Sequence, residues 1–416
     1  MVLTCIQSAS AEVDVDWPQW RGPRRDGTWH GPKIPNRLDA KLPVEWEASI
    51  GGGYAGVIVS AGKCLVFDKI GQKNESMEYE RVLCFDAQSG KQQWSHQYEQ
   101  AYGDLDYGNG PRAAPTVHGG RVYSLGALGK LTCLQLKNGE QIWSKDLIED
   151  FKGRPPTWGY SASPMVYHSS DPKQIDLLIV VAGGTDQRGV LAFDLKSGEL
   201  VWKSLDDQAG YSWPVIVKRK SGDQLVYWSP SHVRGLAAST GKLLWSVPYK
   251  VAEGVSIATP IVHDNIVLVC GYWAGSRAIK LGENPSDTKL LWEENRYLRG
   301  LMSQPLYKDG LVYLLDKQYG ITCFELKTGK KLWDDKNQLT PRGRNPQASL
   351  CWIGDSDRIL ALNAEGELIL AQCKRTGYTE FSRSKIIDPT WAHPAFSGKR
   401  IYARSDSKIV CVRLVD

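Results

Sequence analysis

The chain of 416 residues has only four methionines and no long apolar segment. Its longest clean apolar run, Leu177 to Ala182, is far shorter than the roughly 18 residues that a membrane-spanning helix needs. Glycine, proline and aromatic residues are plentiful, with 41 Gly, 21 Pro, 16 Trp and 18 Tyr. Many turn-forming residues together with strand-favouring aromatics predict an all-β protein and argue against a bundle of amphipathic helices.

A strong charge of either sign is also missing, since 51 basic and 46 acidic residues leave a net charge of +5. Residues 371–416 supply the excess with nine basic and four acidic side chains, but these are scattered through strand-like sequence. A nucleic-acid-binding protein usually carries a basic stripe with base-stacking aromatics. No nucleic-acid partner is therefore expected.

Several catalytic motifs are absent from the sequence. No glycine-rich phosphate loop precedes a helix, no H-E-x-x-H motif occurs, and no G-x-S-x-G elbow lies on a strand-to-helix turn. No two cysteines are adjacent. These absences argue against an ordinary hydrolase or kinase.

What is present is a repeat in which a glycine is followed four residues later by an aromatic residue. Six units fit directly: Gly90 with Trp94, Gly139 with Trp143, Gly198 with Trp202, Gly241 with Trp245, Gly329 with Trp333, and Gly377 with Phe381. Trp292 follows a longer turn, and Trp46 is the eighth member, near the N-terminus. Neighbouring aromatics are 41 to 59 residues apart, which is the spacing of propeller blades.

A small residue precedes each glycine by six positions in the regular units. It is Cys84, Cys133, Ala192, Gly235, Cys323 or Ala371, with Ala278 and Cys411 as the matching residues of the two irregular units. Because no residue at this position is larger than cysteine, the position is predicted to be tightly packed. The cysteines there are predicted to be small buried side chains, so we expect neither disulfide partners nor metal ligands among them.

Each unit is predicted to form four antiparallel strands. Most units open with a proline before an apolar run, as at Pro115 and Pro260, which suits the first residue of a strand. Eight four-stranded units that cannot cover their apolar faces alone close most simply as a β-propeller. The last unit, from Trp391 to Asp416, supplies only three strands, so the strand near Lys41 to Ile50 is predicted to complete it.

The chain is predicted to have three parts. Residues 1–11 end in Ala9-Ser10-Ala11, an A-x-A pattern that indicates the remnant of an export signal, although no basic residue precedes it. Cys5 leaves a lipoprotein anchor open as an alternative. Residues 12–40 are expected to form an extended arm packed on the ring, and residues 41–416 the eight-bladed propeller. The expected location is the periplasm or another exported compartment.

The repeat also resembles a known one. The string from Cys84 to Trp94, and again from Ala192 to Trp202, is similar to the tryptophan-docking repeat of the pyrroloquinoline quinone (PQQ) propeller families. The resemblance covers nearly all of the chain after about residue 40. These families include quinoprotein alcohol dehydrogenases and the propeller lipoprotein of the outer-membrane β-barrel assembly machinery. By length the chain is more similar to the second group.

The resemblance implies PQQ and calcium as cofactors of the dehydrogenase members. Those enzymes typically hold the quinone with a pair of adjacent cysteines, which this chain lacks, and no set of acids with calcium-ligand spacing is evident. We therefore predict no metal site and no catalytic residue.

Residues just before the strand-opening prolines should line the central channel. The candidates are Arg112, Tyr160, Tyr211, Trp213, Arg299, Arg344, Asn345 and His393. The arginines suit an anionic ligand and the aromatics a planar one. The alternative is that the arginines are solvated and the aromatics pack between blades. A purely structural role is predicted for the repeat aromatics, namely Trp46, Trp94, Trp143, Trp202, Trp245, Trp292, Trp333 and Phe381.

These features predict an exported, monomeric, non-catalytic scaffold that binds a protein or a small anionic or planar ligand. A PQQ-dependent oxidoreductase, with its cofactor in the channel, is one alternative. An outer-membrane protein assembly factor, with a peptide along a rim or blade edge, is the other.

Overall fold

The computed structural model describes residues 14–71, 77–103, 105–169, 171, 173–300 and 302–415. These residues form strands almost throughout, with one short 3-10 helix, Ala252–Gly254. The first sixteen strands are β1 Thr28–Trp29, β2 Val44–Ser49, β3 Ile58–Ser60, β4 Lys63–Ile70, β5 Tyr79–Asp86, β6 Gln92–Glu99, β7 Thr116–His118, β8 Arg121–Leu125, β9 Lys130–Gln135, β10 Gln141–Asp146, β11 Met165–Tyr167, β12 Leu177–Val181, β13 Val190–Asp194, β14 Leu200–Ser204, β15 Val215–Val217 and β16 Gln224–Trp228.

The second half of the chain continues the same pattern. Its strands are β17 His232–Ala237, β18 Leu243–Pro248, β19 Ile261–His263, β20 Ile266–Gly271, β21 Gly275–Leu281, β22 Thr288–Glu294, β23 Leu306–Lys308, β24 Leu311–Asp316, β25 Gly320–Glu325, β26 Lys331–Asp334, β27 Ala348–Ile353, β28 Arg358–Asn363, β29 Glu367–Lys374, β30 Gly377–Lys385, β31 Ala395–Ser397, β32 Arg400–Arg404 and β33 Lys408–Arg413.

The strands group into eight antiparallel four-stranded blades. Blades 1 to 7 are β3–β6, β7–β10, β11–β14, β15–β18, β19–β22, β23–β26 and β27–β30. Blade 8 combines β31, β32 and β33 with β2, so that Trp46 lies opposite Cys411. The prediction of an all-β, eight-bladed propeller closed by an N-terminal strand is confirmed.

Strand direction gives the ring two different faces. The innermost strand of each blade starts on one face, and the turn between the second and third strands returns to it; we call this the upper face. The turns between the first and second strands, and those between the third and fourth, lie on the lower face. Loops that join one blade to the next also lie on the upper face.

Five docking tryptophans pack on the glycine turn of the next blade, namely Trp46, Trp94, Trp143, Trp202 and Trp292. The indole Nε1 of Trp94 donates to the carbonyl oxygen of Leu136 at 3.1 Å, and Trp46 and Trp292 make the same bond to Ala87 and Leu326. A Cβ added at Gly139 would lie 2.5 Å from the Trp94 ring. The repeat therefore needs glycine because the indole of the neighbouring blade occupies the place of a side chain.

Replacement of a docking glycine by alanine should separate this steric effect from backbone strain. Gly198 (φ +74°) would place a Cβ 2.6 Å from Trp143, whereas Gly310 (φ +80°) has no atom within 4 Å of such a Cβ. Both substitutions incur about 1–2 kcal/mol of left-handed strain, and Gly198→Ala should lose about 1–3 kcal/mol more through overpacking. Urea denaturation of both variants measures the difference, and equal losses would refute steric docking.

The seventh blade departs from the predicted repeat. Leu370 lies opposite Ser382 and Ala371 opposite Glu380, so Ser382 occupies the docking position and Phe381 is the extra residue of a bulge. Phe381 is therefore not in the docking position that the repeat predicted. Ala371 is likewise not the small residue opposite that position. The physical reason is that blade 8 takes its fourth strand from the N-terminus, so no glycine turn exists there on which an aromatic ring could dock.

The segment that leads into β2 covers this seam. The Leu38 amide donates to Ser382 Oγ at 2.7 Å, and the Ser384 hydroxyl donates to the carbonyl oxygen of Asp39. Three apolar side chains of the segment are buried in the same core: Ile34, Leu38 and Leu42. Arm residues thus replace the missing tryptophan at the one discontinuous blade.

Cysteines at the small position are buried opposite the docking tryptophans. Cys84 pairs with Trp94 and Cys133 with Trp143, and both thiols are 0% exposed. Burial raises the pKa of Cys84 to about 12 and that of Cys133 to about 11, so both stay protonated at neutral pH. All eight described cysteines are free and buried; Cys5 lies outside the described residues.

The N-terminal arm enters the lower end of the channel. Trp17 exchanges backbone hydrogen bonds with Val59 of blade 1, and the Val117 amide of blade 2 donates to the carbonyl oxygen of Pro18 at 2.7 Å. Strand β1 adds to the innermost strand of blade 7 in parallel. The arm therefore packs inside the ring, against several inner strands, and narrows one end of the channel.

Candidate functional site

The upper end of the channel widens into a cavity of about 480 Å³, which we call the funnel. Trp20 of the arm and His393 of the innermost region of blade 8 also line a small pocket beneath it, so they form the floor. Nine aromatic side chains line the funnel: Trp20, Tyr54, Tyr107, Trp158, Tyr211, Trp213, Tyr272, Trp273 and Trp391. The funnel is thus largely aromatic and open to solvent on one face.

The aromatic side chains form separate groups on the funnel wall. Trp391 packs against Tyr54 and Tyr107 with ring centroids 5.8 and 5.6 Å apart. Tyr272 and Trp273 lie 4.3 Å apart, edge to face, and Trp273 is 49% exposed. Exposed ring faces of this kind can stack on a planar group or bury an apolar one.

A lysine lies on one of these aromatic groups. Lys317 Nζ is 3.3 Å from the Trp273 ring centroid and 3.7 Å from that of Tyr272. Burial, together with the positive charges of Arg299 and Arg344, lowers the pKa of the Lys317 ammonium. Neither Lys317 nor Arg344 forms an ion pair with a carboxylate among the described residues. This wall of the funnel is therefore positively charged.

Six of the eight predicted channel residues line the funnel. These are Arg112, Tyr211, Trp213, Arg344, Asn345 and His393. Asn345 Nδ2 donates to the Tyr107 hydroxyl at 3.2 Å and its Oδ1 accepts from the Tyr272 hydroxyl at 3.2 Å, which links two aromatic groups across the mouth. Burial and the charge of Arg21 lower the pKa of His393 to about 3, so this imidazole is neutral.

Arg112, Tyr160 and Arg299 are placed differently from the other five. Arg112 lines the funnel, but its guanidinium donates to the carbonyl oxygens of Gly108 and Gly110 at 2.7 and 2.5 Å and so holds a loop. Tyr160 is 1% exposed, and its hydroxyl donates to a carbonyl oxygen between strands. Arg299 lies behind the wall, with a buried Nε that has no hydrogen-bond partner.

Several funnel residues were not among the sequence candidates. Tyr272 and Trp273 lie between β20 and β21, and Lys317 lies between β24 and β25. Each is in a turn between the second and third strands of a blade, and these turns share the upper face with the strand starts. Blade topology could have identified them. Trp20 could not be identified this way because it reaches the funnel from the arm.

The described residues do not offer the ligands that a calcium-dependent quinone site needs. No group of three or more His, Cys, Asp or Glu side chains among them could hold a metal ion. The described acids of the funnel are Asp106 and Glu253, while Asp104 lies outside the described residues. Calcium takes six to eight oxygen ligands. The aromatic walls suit a planar group, but the donor set does not fit the ion.

No helix in the described part of the chain is both long and apolar enough to cross a membrane.

Sequence comparison identifies related proteins. A family model described as outer membrane protein assembly factor BamB matches residues 78–335 and 229–414. The chain is 22% identical over 275 residues to the BamB of Yersinia pestis, covering 62% of this chain and 64% of that protein. It is 28% identical over 310 residues to the quinohemoprotein alcohol dehydrogenase ADH IIB of Pseudomonas putida, covering 64% of this chain and 41% of the enzyme. The chain thus spans less than two thirds of the length of either relative.

Solved structures share the fold. BamB from Moraxella catarrhalis superposes with a TM-score of 0.58 at 16% identity, covering 90% of this chain and 98% of that one. The quinohemoprotein alcohol dehydrogenase of Comamonas testosteroni gives 0.65 at 13% identity, covering 98% and 81%. At such identities the likeness concerns architecture alone. Because the family model spans most of the repeat region, from blade 1 to the closing blade, the chain belongs to the family of outer membrane protein assembly factor BamB.

Proposed function

We propose that this chain is an exported, non-catalytic propeller that binds a partner through the funnel. The observation that carries the proposal is the combination of nine aromatic side chains with unpaired cations on one open face. Such a surface can bind a protein segment or a small planar anion. The assembly-factor names of the relatives support a binding role and an exported location, and both remain part of the proposal.

The alternative, a PQQ-dependent oxidoreductase, is favoured by one observation, the match to an alcohol dehydrogenase. The chain lacks adjacent cysteines, and its described funnel residues lack a calcium donor set. We therefore assign no catalytic residue and derive no redox step.

Two measurements on the purified protein test this proposal. With PQQ, calcium and an alcohol or sugar supplied, we expect no reduction of an artificial dye. Anilinonaphthalene sulfonate, an aromatic anion, should bind, and a Tyr272→Ala/Trp273→Ala double variant should weaken its affinity about tenfold, since each lost aromatic contact contributes about 0.5–1.5 kcal/mol. Tyr319→Ala is the matched control, because Tyr319 packs under Lys331 and does not line the funnel.

Dye reduction that a chelator abolishes and calcium restores would contradict the non-catalytic proposal. Equal affinity of the double variant and the wild type for the probe would contradict the placement of the site.

A further inference from the structure

A second cavity adjoins the funnel on the upper face. This groove, of about 730 Å³, runs past Pro155, Pro156 and Pro230 between blades 3 and 4. Tyr211 and Glu253 line both the groove and the funnel. The two cavities therefore adjoin at Tyr211 and Glu253, and together we call them the cleft.

The funnel end of this cleft has a surplus of positive charge. Lys317 and Arg344 line it, and Arg299 stands behind Lys317 with an unpartnered buried Nε. The neighbouring carboxylate of Asp316 forms no ion pair with either cation; it accepts backbone N–H bonds from Arg299, Gln318 and Tyr319 at 2.8 to 3.2 Å. Guanidinium and ammonium groups without acid partners suit a carboxylate ligand.

The groove end carries acids that are open to solvent. Asp206 and Glu253 are exposed on its walls and form no ion pair with a described residue, whereas Asp207 is paired with Arg234. Arg154 is the cation on the same wall. Among the described residues, the cleft thus has unpaired cations at its funnel end, one unpaired acid, Glu253, where the two cavities meet, and another, Asp206, in the groove.

We propose that the cleft binds an extended polypeptide whose acidic end, a C-terminal or side-chain carboxylate, lies at Lys317 and Arg344 while a basic stretch lies along the groove. This inference rests on the proposed function and names the partner of the same site. A small anion would use the funnel alone and would leave the acids of the groove without a role. An extended chain of opposite charges complements both ends, and the proline walls of the groove add apolar surface against its backbone.

Fluorescence anisotropy of a short synthetic peptide tests the inference. The peptide carries a fluorophore and two lysines near its amino end and a C-terminal glutamate with a free carboxyl group. The comparison peptide has a C-terminal glutamine amide. We expect the wild type to bind the acidic peptide at least tenfold more tightly than the amide. Lys317→Met and Arg344→Gln should each lose about tenfold in affinity for the acidic peptide, which corresponds to about 1.4 kcal/mol.

The groove is tested with Asp206→Asn and Glu253→Gln, which should each weaken peptide binding; Asp206→Asn should leave binding of citrate unchanged, because Asp206 does not line the funnel. Lys242→Met and Glu283→Gln, on exposed turns of the lower face and outer edge, are the matched controls. Thermal melts check that every variant is folded. Equal peptide affinity in the wild type and the cation variants would overturn the inference.

The remaining outcome separates the inference from the proposed function. If citrate binds as tightly as the peptide and the groove variants have no effect, the ligand is a small anion. The polypeptide inference then fails while binding in the funnel stands. If neither the peptides, citrate nor the aromatic sulfonate binds, both fail.

Discussion

Deletion of residues 1–50 is expected to yield a chain that no longer folds cooperatively and accumulates as insoluble protein. The deletion removes β2, and with it the partner of β33 in blade 8. It also removes Trp46, which packs on Gly90 and donates to the carbonyl oxygen of Ala87. Loss of a buried tryptophan alone typically costs about 3–5 kcal/mol, and an open β33 edge invites pairing between chains. Because the total stability of a typical domain is only about 5–15 kcal/mol, the combined loss is large enough to unfold the chain.

Two shorter deletions serve as controls for this experiment. Removal of residues 1–13 serves as the baseline, because it keeps every described contact of the arm, the first of which is made by Asp14. Removal of residues 1–40 keeps β2 but removes the arm that narrows the lower end of the channel. The free energy of unfolding of this variant should lie between those of the other two. Sedimentation and urea denaturation measure all three. A 1–50 deletion as soluble and stable as the full chain would refute closure through β2.

The fold could be predicted because the residues of its repeated docking motif lie close together in the sequence. The glycine and the tryptophan four residues after it lie in one hairpin, so the pattern recurs in five of the eight blades whatever the loops between blades contain. Phe381 shows the limit of this reasoning. Its unit has the same spacing, but a docking ring also needs a glycine turn in the next blade, and blade 8 has none because its outer strand comes from the N-terminus.

The site was less predictable than the fold. Position at the start of an inner strand indicates closeness to the channel, and the structure places Arg344 and Trp213 in the funnel wall. It does not determine side-chain direction, which is why Tyr160 instead fills the core and Arg112 holds carbonyl groups of a loop. The position of Trp20 in the funnel depends on the path of the arm, which lies outside the repeats and could not be predicted from them.

Ring closure also depends on a polar cluster that no motif indicated. Asp68 of blade 1 is 0% exposed and accepts from the Gly51 amide at 2.6 Å and from the Arg81 guanidinium at 2.8 and 3.1 Å. Arg404 of blade 8 is also buried and donates to the carbonyl oxygens of Gly51 and Phe67, both at 2.7 Å. The two charged residues therefore hold the same residue, Gly51, directly after the closing strand.

Because of the charge balance of this cluster, a substitution of Asp68 should strongly lower the stability of the protein. Burial lowers the pKa of Arg404 to about 10, and the charge of Asp68 opposes that shift, so Arg404 stays positively charged at neutral pH. Asparagine in place of Asp68 would keep the shape but leave the Arg81 guanidinium without its buried carboxylate partner, and it would remove the larger of the two negative charges, those of Asp68 and Asp406, that act on Arg404. Removing one member of a buried ion pair typically costs about 3–5 kcal/mol because the remaining charge is uncompensated.

Asp68→Asn should therefore lower the free energy of unfolding by about 3–5 kcal/mol, measured by urea denaturation at neutral pH. Asp388→Asn is the matched control, because that carboxylate is 58% exposed and lies 3.4 Å from Lys408 Nζ; it should lose less than about 1 kcal/mol. The combination of Asp68→Asn with Arg404→Met should lose less than the sum of the single losses, by about 0.5–3 kcal/mol, because both residues act on Gly51. Strict additivity, or a loss at Asp68 no larger than at Asp388, would show that the closing seam does not depend on this pair.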